Sequence, residues 1–452
     1  MGLIETIQSS GIVGAGGAGF PTHVKLDTKA ECFIINAAEC EPLIETDKFL
    51  CRTFPDKVVG GTAIAAAHLG AKRIVIALKG KYEDEIAALK ASIKKAGVNI
   101  EIFKMPTFYP AGDEQTMVHM VTGKTVPERG IPLEVGVVVN NVGTMMNLFE
   151  AVHEGKPVCD KYLSVVGEVE KPIMLHVPIG TAIEECIKKA EPKIRDYAVI
   201  LGGPMMGSVL KEPEEISQSV VTKTSGNIIV LPRDHFLITR STVPIERLKQ
   251  QARSACIQCR FCTDLCPRYL IGHRIRPHLV MRNVWLEEQT RDNERFEELF
   301  GDAVNCCDCG ICELFSCPMG LSPRLINVYM KGKLRERGIN VPKTPEPEAL
   351  DIIDMHRVPT ERLVTRLNLG KYYTQHTKDC FELNPEQVYI PFAQHIGKPA
   401  EPCVSQGDEI KKGQLLAKAQ GAVSANIHAS ISGTIVKVDA KGASISRKGE
   451  SI

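Results

Sequence analysis

Residues 256–267 read CIQCRFCTDLCP and residues 306–318 read CCDCGICELFSCP. Each run places three cysteines at intervals of two intervening residues, followed after a longer gap by a fourth cysteine that directly precedes a proline. Paired runs of this kind hold two 4Fe–4S clusters, and the fourth cysteine of each run binds the cluster of the other run. The spacing predicts one cluster on Cys256, Cys259, Cys262 and Cys317, and a second on Cys306, Cys309, Cys312 and Cys266.

Two other uses of these cysteines stay open. Zinc favours two separated C-x2-C pairs, which fits a run of three cysteines poorly. Disulfides are typical of small secreted chains. Cys307 stands beside Cys306 and could replace it as a ligand, but Cys306 keeps the regular spacing to Cys309. Most of the remaining cysteines are expected to be small buried side chains.

The composition limits the class of protein. The chain has 452 residues, of which 44% are hydrophobic and 24% charged, so we expect several domains. A formal net charge of +1 argues against nucleic-acid binding. The start, MGLIETIQSS, does not resemble a signal peptide, and no apolar run reaches the roughly 18 residues that span a membrane. The expected compartment is therefore the reducing cytoplasm.

Residues 1–158 show alternating strand and helix patterns. Strands are predicted at 32–35, 73–78, 98–103 and 135–139, and helices at 56–70 and 82–96. This alternation predicts a parallel sheet with helical crossovers, as in Rossmann-like folds. Ligands of such sheets bind beyond the carboxyl ends of the strands.

Glycine-rich and polar segments stand where that site is expected. They are GAGGAGFPT at 14–22, NAAECEP at 36–42, YPAGDEQT at 109–116 and NNVGT at 140–144. Clustered glycines allow backbone N–H groups to approach a phosphate. A solvated loop or a helix cap could explain each segment alone. Their convergence at one edge of the sheet predicts a ligand site.

These segments resemble the flavin-binding motifs of the NADH-oxidising subunit of respiratory complex I and of the related subunit of Rnf-type electron-transport complexes. The resemblance implies an FMN site and NADH as electron donor. It implies cofactor contacts from Gly14, Gly16, Gly17, Lys25, Asn36, Glu39, Glu41, Asp113, Asn140, Asn141 and Thr144, with Phe20 and Glu114 as catalytic residues on the nicotinamide side. Ala15 and Ala38 depart from that family, which usually has an arginine and an acid there.

The middle of the chain changes pattern. Residues 159–214 are predicted to form a ββαβ unit that resembles a soluble-ligand-binding β-grasp domain. Met205 and Met206 could contact a flat ligand, or they could simply pack in a core or turn. The cluster cysteines lie in an expected ferredoxin-like helical module at 251–337, between linkers at 215–250 and 338–385.

Residues 386–452 have closely spaced short strands and resemble the barrel-sandwich hybrid fold of lipoyl and biotinyl carriers. Where a carrier presents its modified lysine, this chain reads QGAVSAN at 420–426. Because that segment has no lysine, a docking or structural role is expected. The whole chain is thus expected to be a multidomain α/β protein.

The order of these parts resembles the cobalamin reductases of propanediol-utilisation microcompartments, since Rnf-type subunits carry the barrel-sandwich domain first. The resemblance implies electron transfer from NADH through FMN and two 4Fe–4S clusters to cobalamin. It also implies a corrinoid adenosyltransferase and microcompartment shell or lumen proteins as partners, and a cytoplasmic location in or at a bacterial microcompartment. Two alternatives stay open, namely the electron-entry subunit of an Rnf-type NADH:ferredoxin membrane complex and a non-catalytic iron–sulfur electron carrier.

Overall fold

The protein is described by a computed structural model that covers residues 2–377 and 379–447. The first region contains α1 (Leu3–Ser9), α2 (Thr22–Leu26), β1 (Cys32–Asn36), α3 (Thr46–Thr53), α4 (Pro55–Leu69), β2 (Arg73–Lys79), α5 (Glu83–Ala96), β3 (Glu101–Met105), β4 (Phe108–Tyr109), α6 (Glu114–Thr122), β5 (Val137–Asn141) and α7 (Val142–Glu154). The second contains β6 (Asp160–Gly167), β7 (Ile173–Pro178), α8 (Ile183–Lys189), β8 (Tyr197–Leu201), β9 (Ser208–Leu210), α9 (Pro213–Gln218), β10 (Asn227–Pro232) and α10 (Phe236–Arg240).

The remaining elements belong to the helical and C-terminal regions. They are α11 (Ile245–Ala255), α12 (Phe261–Asp264), α13 (Pro267–Leu270), α14 (Pro277–Asn283), α15 (Asn293–Phe300), α16 (Pro323–Glu336), β11 (Val358–Pro359), α17 (Thr360–Arg366), β12 (Cys380–Glu382), β13 (Gln387–Pro391), β14 (Glu401–Pro402), β15 (Glu409–Ile410), β16 (Leu415–Lys418), β17 (Ile427–His428), β18 (Gly433–Val438) and β19 (Gly442–Ser446).

The first region is built on a parallel sheet with the strand order β3-β2-β1-β5. Its central strand β1 is almost completely buried, as expected for a strand covered by helices on both faces. The strands predicted at 98–103 and 135–139 lie two or three residues further along the chain. In the second case a 3-10 turn ends at Gly136, whose φ of 79° lets the chain turn sharply into β5.

The second sheet has the strand order β12-β7-β6-β10-β8-β9. Strand β10 comes from the segment 215–250, which the sequence predicted to be a linker, and it lies between β6 and β8. Strand β12 comes from the other predicted linker, 338–385, and pairs with β7. Both segments thus contribute a strand to this sheet, and β10 contains the apolar strand that the sequence indicates at 228–231. The apolar run NIIVLP of β10 is buried along nearly its whole length, which suits a central strand.

The cysteine-bearing region is a set of short helices. Three of these helices, α13, α14 and α16, begin with a proline at the first helical position, where its missing N–H is not needed. Phe296, Phe300, Ile326 and Met330 form the centre of a separate hydrophobic core. Among the described residues, no helix has the length and apolar character needed to cross a membrane.

The C-terminal region forms two small antiparallel sheets, with the orders β13-β19-β18-β15 and β14-β16-β17. Its core is continuous with that of the first region, because Ile390, Ile427 and Ile435 belong to the same hydrophobic cluster as Ile7 and Leu26. The two ends of the chain are therefore packed against each other.

The contact between α4 and α7 depends on Gly61. A methyl group at Gly61 would overlap the backbone carbonyl of Met145 in α7. We expect Gly61→Ala to force the helices apart and to lower the free energy of unfolding by about 1–3 kcal/mol. Urea unfolding followed by circular dichroism measures this change.

Gly332→Ala in α16 is the matched control, since its added methyl group meets no atom within 4 Å. This change should raise the free energy of unfolding by about 0.5–1 kcal/mol through helix propensity. Equal unfolding midpoints for the two variants would contradict the close helix contact at Gly61.

Candidate functional site

A cavity of about 1440 Å³ lies beyond the carboxyl ends of β1 and β5. All four segments singled out in the sequence contribute to its wall, and so do the loop 201–208 and the turn 222–227 of the second region. Typical small-molecule sites occupy roughly 300–1,000 Å³. This cavity therefore has room for a nucleotide cofactor and a second ligand.

Two hydrogen bonds to the backbone of Ala15 hold the glycine-rich loop in place. The backbone N–H of Ala15 donates to Thr144 Oγ1 at 3.0 Å, and Lys161 Nζ donates to the carbonyl of Ala15 at 3.1 Å. A methyl group at Gly16 would stand 2.5 Å from Asn141 Nδ2, so only glycine fits there. One at Gly17 would meet no protein atom within 4 Å. The loop thus presents a flat, small-residue wall that suits a phosphate-bearing cofactor.

The asparagines at the strand ends mainly shape the site. Asn36 Nδ2 donates to the carbonyl of Gly112 at 2.9 Å. Asn141 caps α7 by accepting from the N–H of Gly143, and its Nδ2 donates to Asp47 Oδ2 at 2.8 Å. Asn140 is buried, and within the described chain its Nδ2 has no hydrogen-bond partner. Such an orphan donor is what a bound polar group would satisfy.

The structure brings together most, but not all, of the residues predicted for the cofactor. The cavity wall includes Gly16, Gly17, Asn36, Glu39, Glu41, Asp113, Glu114 and Asn141, whereas Gly14, Phe20, Lys25, Asn140 and Thr144 lie outside it. Lys25 still reaches the site indirectly, since its Nζ pairs with Glu114 Oε1 at 2.8 Å.

Three carboxyl groups line the cavity, of which Glu39 is buried and Glu41 and Asp47 are partly buried. Burial, reinforced by the nearby Asp47 charge, raises the pKa of Glu39 to about 8. Burial also raises the pKa of Asp47 to about 6 and that of Glu41 to about 7. Carboxyls with such values can be neutral near pH 7 and then donate a hydrogen bond to a ligand. Sequence reasoning missed Asp47, which follows the NAAECEP turn with no motif of its own.

Glu41 has a definite protein partner. Its Oε2 accepts a hydrogen bond from the backbone N–H of Met205 at 2.6 Å, and a methyl group at Gly203 would overlap the same oxygen. Met205 is buried, while Met206 is exposed and lines the cavity. Glu41 therefore holds the 203–206 loop against the first region.

Two buried lysines were also missed. One is Lys161, which donates to the carbonyl of Ala15, and burial lowers its pKa to about 8. Lys79 Nζ donates to the carbonyl of Glu39 at 3.0 Å, and burial lowers its pKa to about 8 as well. A lysine that ends an otherwise apolar strand, as Lys79 ends β2, was the only available sequence signal.

The cysteines fall into two neighbouring groups. Cys256, Cys259, Cys262 and Cys317 line one small cavity. Burial raises the pKa of Cys312 well above its ordinary value, and the nearby thiols of Cys306, Cys266 and Cys262 add to this shift. Since Cys262 belongs to the first group, the two groups lie side by side. The structure thus brings the first set of four together, and the cysteines of the second set lie close to one another, with Cys309 near Cys266 and Cys312. Their assignment as cluster ligands stays a prediction.

Two cysteines of the second run, Cys307 and Cys309, face the large cavity. A hydrogen bond with Cys309 lowers the pKa of Cys307 to about 7. Among the described residues, no three His, Cys, Asp or Glu side chains converge as ligands of a single metal ion would. In a cubane each thiolate binds a different iron, so its ligands surround a larger volume.

A buried ion pair joins the cysteine module to the cavity. Arg268 follows Cys266 and Pro267, and its two terminal nitrogens bind the two oxygens of Asp113 at 2.5 and 2.8 Å. Burial alone would raise the pKa of Asp113, but the Arg268 guanidinium holds it below its usual range. Close by, the Tyr109 hydroxyl donates to the carbonyl of Cys309 at 2.7 Å.

Three family matches cover these regions. Residues 7–150 match the Nuo51 FMN-binding domain, residues 255–322 match the 4Fe-4S dicluster domain, and residues 367–452 match the RnfC barrel sandwich hybrid domain. The expected combination of FMN-binding, 4Fe–4S and barrel-sandwich domains in a mixed α/β chain is confirmed.

Curated relatives match over almost the whole chain. The cobalamin reductase PduS of Citrobacter freundii is 38% identical over 447 residues, which cover 98% of this chain and 96% of the relative. PduS of Salmonella typhimurium is 38% identical over 445 residues, with the same coverage of 98% and 96%. A subunit of the ion-translocating oxidoreductase complex of Vibrio cholerae is 32% identical over 284 residues, which cover 61% of this chain and 34% of the relative.

The resemblance inferred from the sequence is confirmed by the near-complete coverage of the PduS relatives in both directions. The fixed glycine loop, the two cysteine groups and the ion pair between them lie within the matched regions. The chain belongs to the PduS cobalamin reductase family and is a flavin and iron–sulfur oxidoreductase.

Proposed function

We propose that this protein transfers electrons from NADH, by way of FMN and two 4Fe–4S clusters, to cobalamin. Bound FMN would accept a hydride as two electrons, and the clusters would carry these electrons onwards one at a time. The observation that carries the proposal is the shared wall of the large cavity, in which the glycine loop faces the same space as Cys307 and Cys309.

The glycine loop and the strand ends would hold FMN. Gly16 and Gly17 allow the backbone to approach a phosphate, while Asn36 and Asn141 keep the neighbouring turns in place through their hydrogen bonds. Asn140 has a buried donor without a partner among the described residues, but it lies outside the cavity wall, so its contact with the cofactor stays a prediction. The remaining cavity volume, next to Glu114, would admit the nicotinamide end of NADH. Phe20, which lies on the glycine loop outside the cavity wall, stays the second proposed residue on the nicotinamide side.

The two cysteine groups would act in a defined order. The group that contains Cys309 adjoins the cavity, so a cluster there would receive electrons first. Around the other group Ile257, Phe261 and Met319 remain 61%, 52% and 47% exposed. A cluster in that group would therefore be the exit to the acceptor.

Cobalamin as acceptor is supported by the relatives named for its reduction, which match this chain almost end to end. On the same basis we propose a corrinoid adenosyltransferase as partner and a place in or at a microcompartment in the cytoplasm. We also assign residues 159–214 to a β-grasp-like unit and residues 251–337 to the two-cluster module. The order of the strands β6, β7 and β8 around helix α8 supports the first assignment.

The second candidate is the electron-entry subunit of an Rnf-type complex. It is favoured by the 32% identity to the Vibrio cholerae subunit over 61% of this chain. The match of residues 367–452 to the RnfC barrel-sandwich domain places that domain at the C-terminal end here. The different domain order and the lower coverage favour the first proposal.

Anaerobic reduction with NADH tests the function directly. Reconstituted protein should lose its flavin absorbance on addition of NADH and then convert hydroxocobalamin to cob(II)alamin, which is followed by its visible spectrum. A small redox dye serves as the control acceptor. Dye reduction without cobalamin reduction would favour the Rnf-type alternative, and absence of flavin bleaching would favour a non-catalytic electron carrier.

Replacement of one cysteine tests the cluster ligands. We expect Cys259→Ser to remove one cluster and to lower the iron content from about eight to about four atoms per chain, with FMN still bound. Cys403→Ser, at an exposed cysteine outside both groups, is the matched control and should keep full iron content. Unchanged iron in Cys259→Ser would refute the ligand assignment.

A side chain at Gly17 tests the flavin pocket. Because an added methyl group meets no protein atom there, Gly17→Val should fold normally and compete only with the ligand. We expect FMN to bind at least about tenfold more weakly, a loss of about 1.4 kcal/mol, as measured by flavin fluorescence titration. Gly370→Val, on an exposed 3-10 turn with equally free space, is the control. Undiminished FMN binding in Gly17→Val would place the pocket elsewhere.

A further inference from the structure

Lys223 occupies an unusual position between three parts of the chain. Its side chain is 2% exposed, and its Nζ donates to the backbone carbonyls of Gly11 and Asn426, each at 2.6 Å. Its own backbone N–H donates to Gln394 Oε1 at 3.0 Å. The lysine thus connects the start of the glycine loop to the C-terminal barrel-sandwich region.

The hairpin that receives this lysine is the segment 420–426. Its tip, Gly421 and Ala422, is exposed, whereas Ser424 and Ala425 next to Asn426 are buried. A methyl group at Gly11 would overlap the carbonyl oxygen of Asn426. In addition, Asn426 Nδ2 donates to the carbonyl of Ser9 at 3.4 Å. The hairpin is therefore in direct contact with the chain that leads into the glycine loop.

The far end of the glycine loop is held by the same region. The backbone N–H of Ile396 donates to the carbonyl of Gly19 at 3.3 Å. A methyl group at Gly19 would stand 3.1 Å from the carbonyl oxygen of Gln394. The segment that leads into the loop and the far end of the loop thus both lie against the barrel-sandwich region, which leaves no room for a side chain at Gly11 and little at Gly19.

Other contacts make this docking extensive. Lys412 and Gly413 line the large cavity, and Lys412 pairs with Asp160 at 2.7 Å. Ser430 Oγ donates to the carbonyl of Ile179 at 2.5 Å. Together with the shared hydrophobic core, these contacts oppose any swinging of the domain, since movement would expose apolar surface and leave buried carbonyls unpaired.

We infer that the barrel-sandwich region is a fixed wall of the flavin site, and that Lys223 is the positioning residue that ties the glycine loop to this wall. The bracing itself does not depend on which ligand the loop binds. Its effect on FMN affinity rests on the proposed function. Hydrogen exchange tests the bracing, and FMN titration tests its effect on affinity.

Hydrogen exchange in the ligand-free, full-length protein tests the bracing. The reporters are the amides of Ala15, which donates to Thr144, and Ala425, which donates to His395 Nε2 at 3.0 Å. Lys223→Met keeps the apolar stem but removes the donor. It should speed exchange at both amides together, by roughly tenfold or more, since the two carbonyls lose their partner.

Lys249→Met is the matched control, because Lys249 is also buried but pairs with Glu287 in the cysteine module. It should leave exchange at Ala15 and Ala425 unchanged. Faster exchange at Ala425 alone in Lys223→Met, with Ala15 unaffected, would overturn the inference. So would unchanged exchange at both amides.

Two further measurements keep the inference falsifiable if Lys223→Met does not fold. Gly11→Ala disrupts the contact between Gly11 and Asn426 without changing Lys223. It should accelerate exchange at the same two amides. In the wild-type protein, both amides should also open in one step as denaturant is added. Opening of the Ala425 hairpin well before Ala15 would overturn the bracing.

FMN titration tests the consequence for the ligand. We expect Lys223→Met to raise the Kd for FMN roughly tenfold while Lys249→Met leaves it unchanged. An unchanged Kd together with faster exchange would refute the link from the brace to flavin binding. If the wild-type protein bound no FMN, the proposed function would fail, yet the exchange results would still decide the bracing.

Discussion

The buried ion pair between Asp113 and Arg268 is the contact on which the arrangement of the site depends. Asp113 also caps α6 by accepting from the N–H of Thr116, so the same carboxylate fixes the helix that bears Glu114 and the turn that follows Cys266. A buried pair with two parallel hydrogen bonds is rigid in both distance and orientation. Transfer of electrons between two centres requires a short and constant separation. The ion pair keeps the cysteine module at a constant distance from the cavity, which a flexible linker would not do.

Buried lysines perform a related task at three loops around the same cavity. Lys79, Lys161 and Lys223 each donate to backbone carbonyls of irregular segments. Burial of a charged amine is costly, and it lowers the pKa of these lysines to about 8, 8 and 7. A long side chain with several donors can satisfy carbonyls that no strand or helix reaches. The cavity can therefore have walls of irregular backbone and still keep one shape.

The ion pair and the buried lysines join distant parts of the chain, and such contacts limit what the sequence can predict. Spacing alone predicted both sets of four cysteines, and apolar runs predicted most strands of the parallel sheet, because both signals are local. The place of β10 in the second sheet depends on pairing with β6 and β8, which no local pattern encodes. No motif points to Arg268, because its partner Asp113 lies 155 residues away in the sequence. Glu41 stood in a motif that resembles cofactor-facing segments, yet its carboxylate binds the N–H of Met205.

Which of the two cysteine groups adjoins the large cavity is the clearest property that required the three-dimensional structure. The two cysteine runs are almost equivalent in sequence, so neither spacing nor the prolines tell which cluster adjoins the flavin. Tyr109 and Asp113 of the first region remove this symmetry. Tyr109 binds the carbonyl of Cys309, and Asp113 binds Arg268, which follows Cys266 closely in the chain. The Cys256 group is left beside exposed apolar side chains. The second cysteine run is therefore the one nearer the cavity, although it comes later in the chain. Contacts made by the first region, rather than the cysteines themselves, decide this placement.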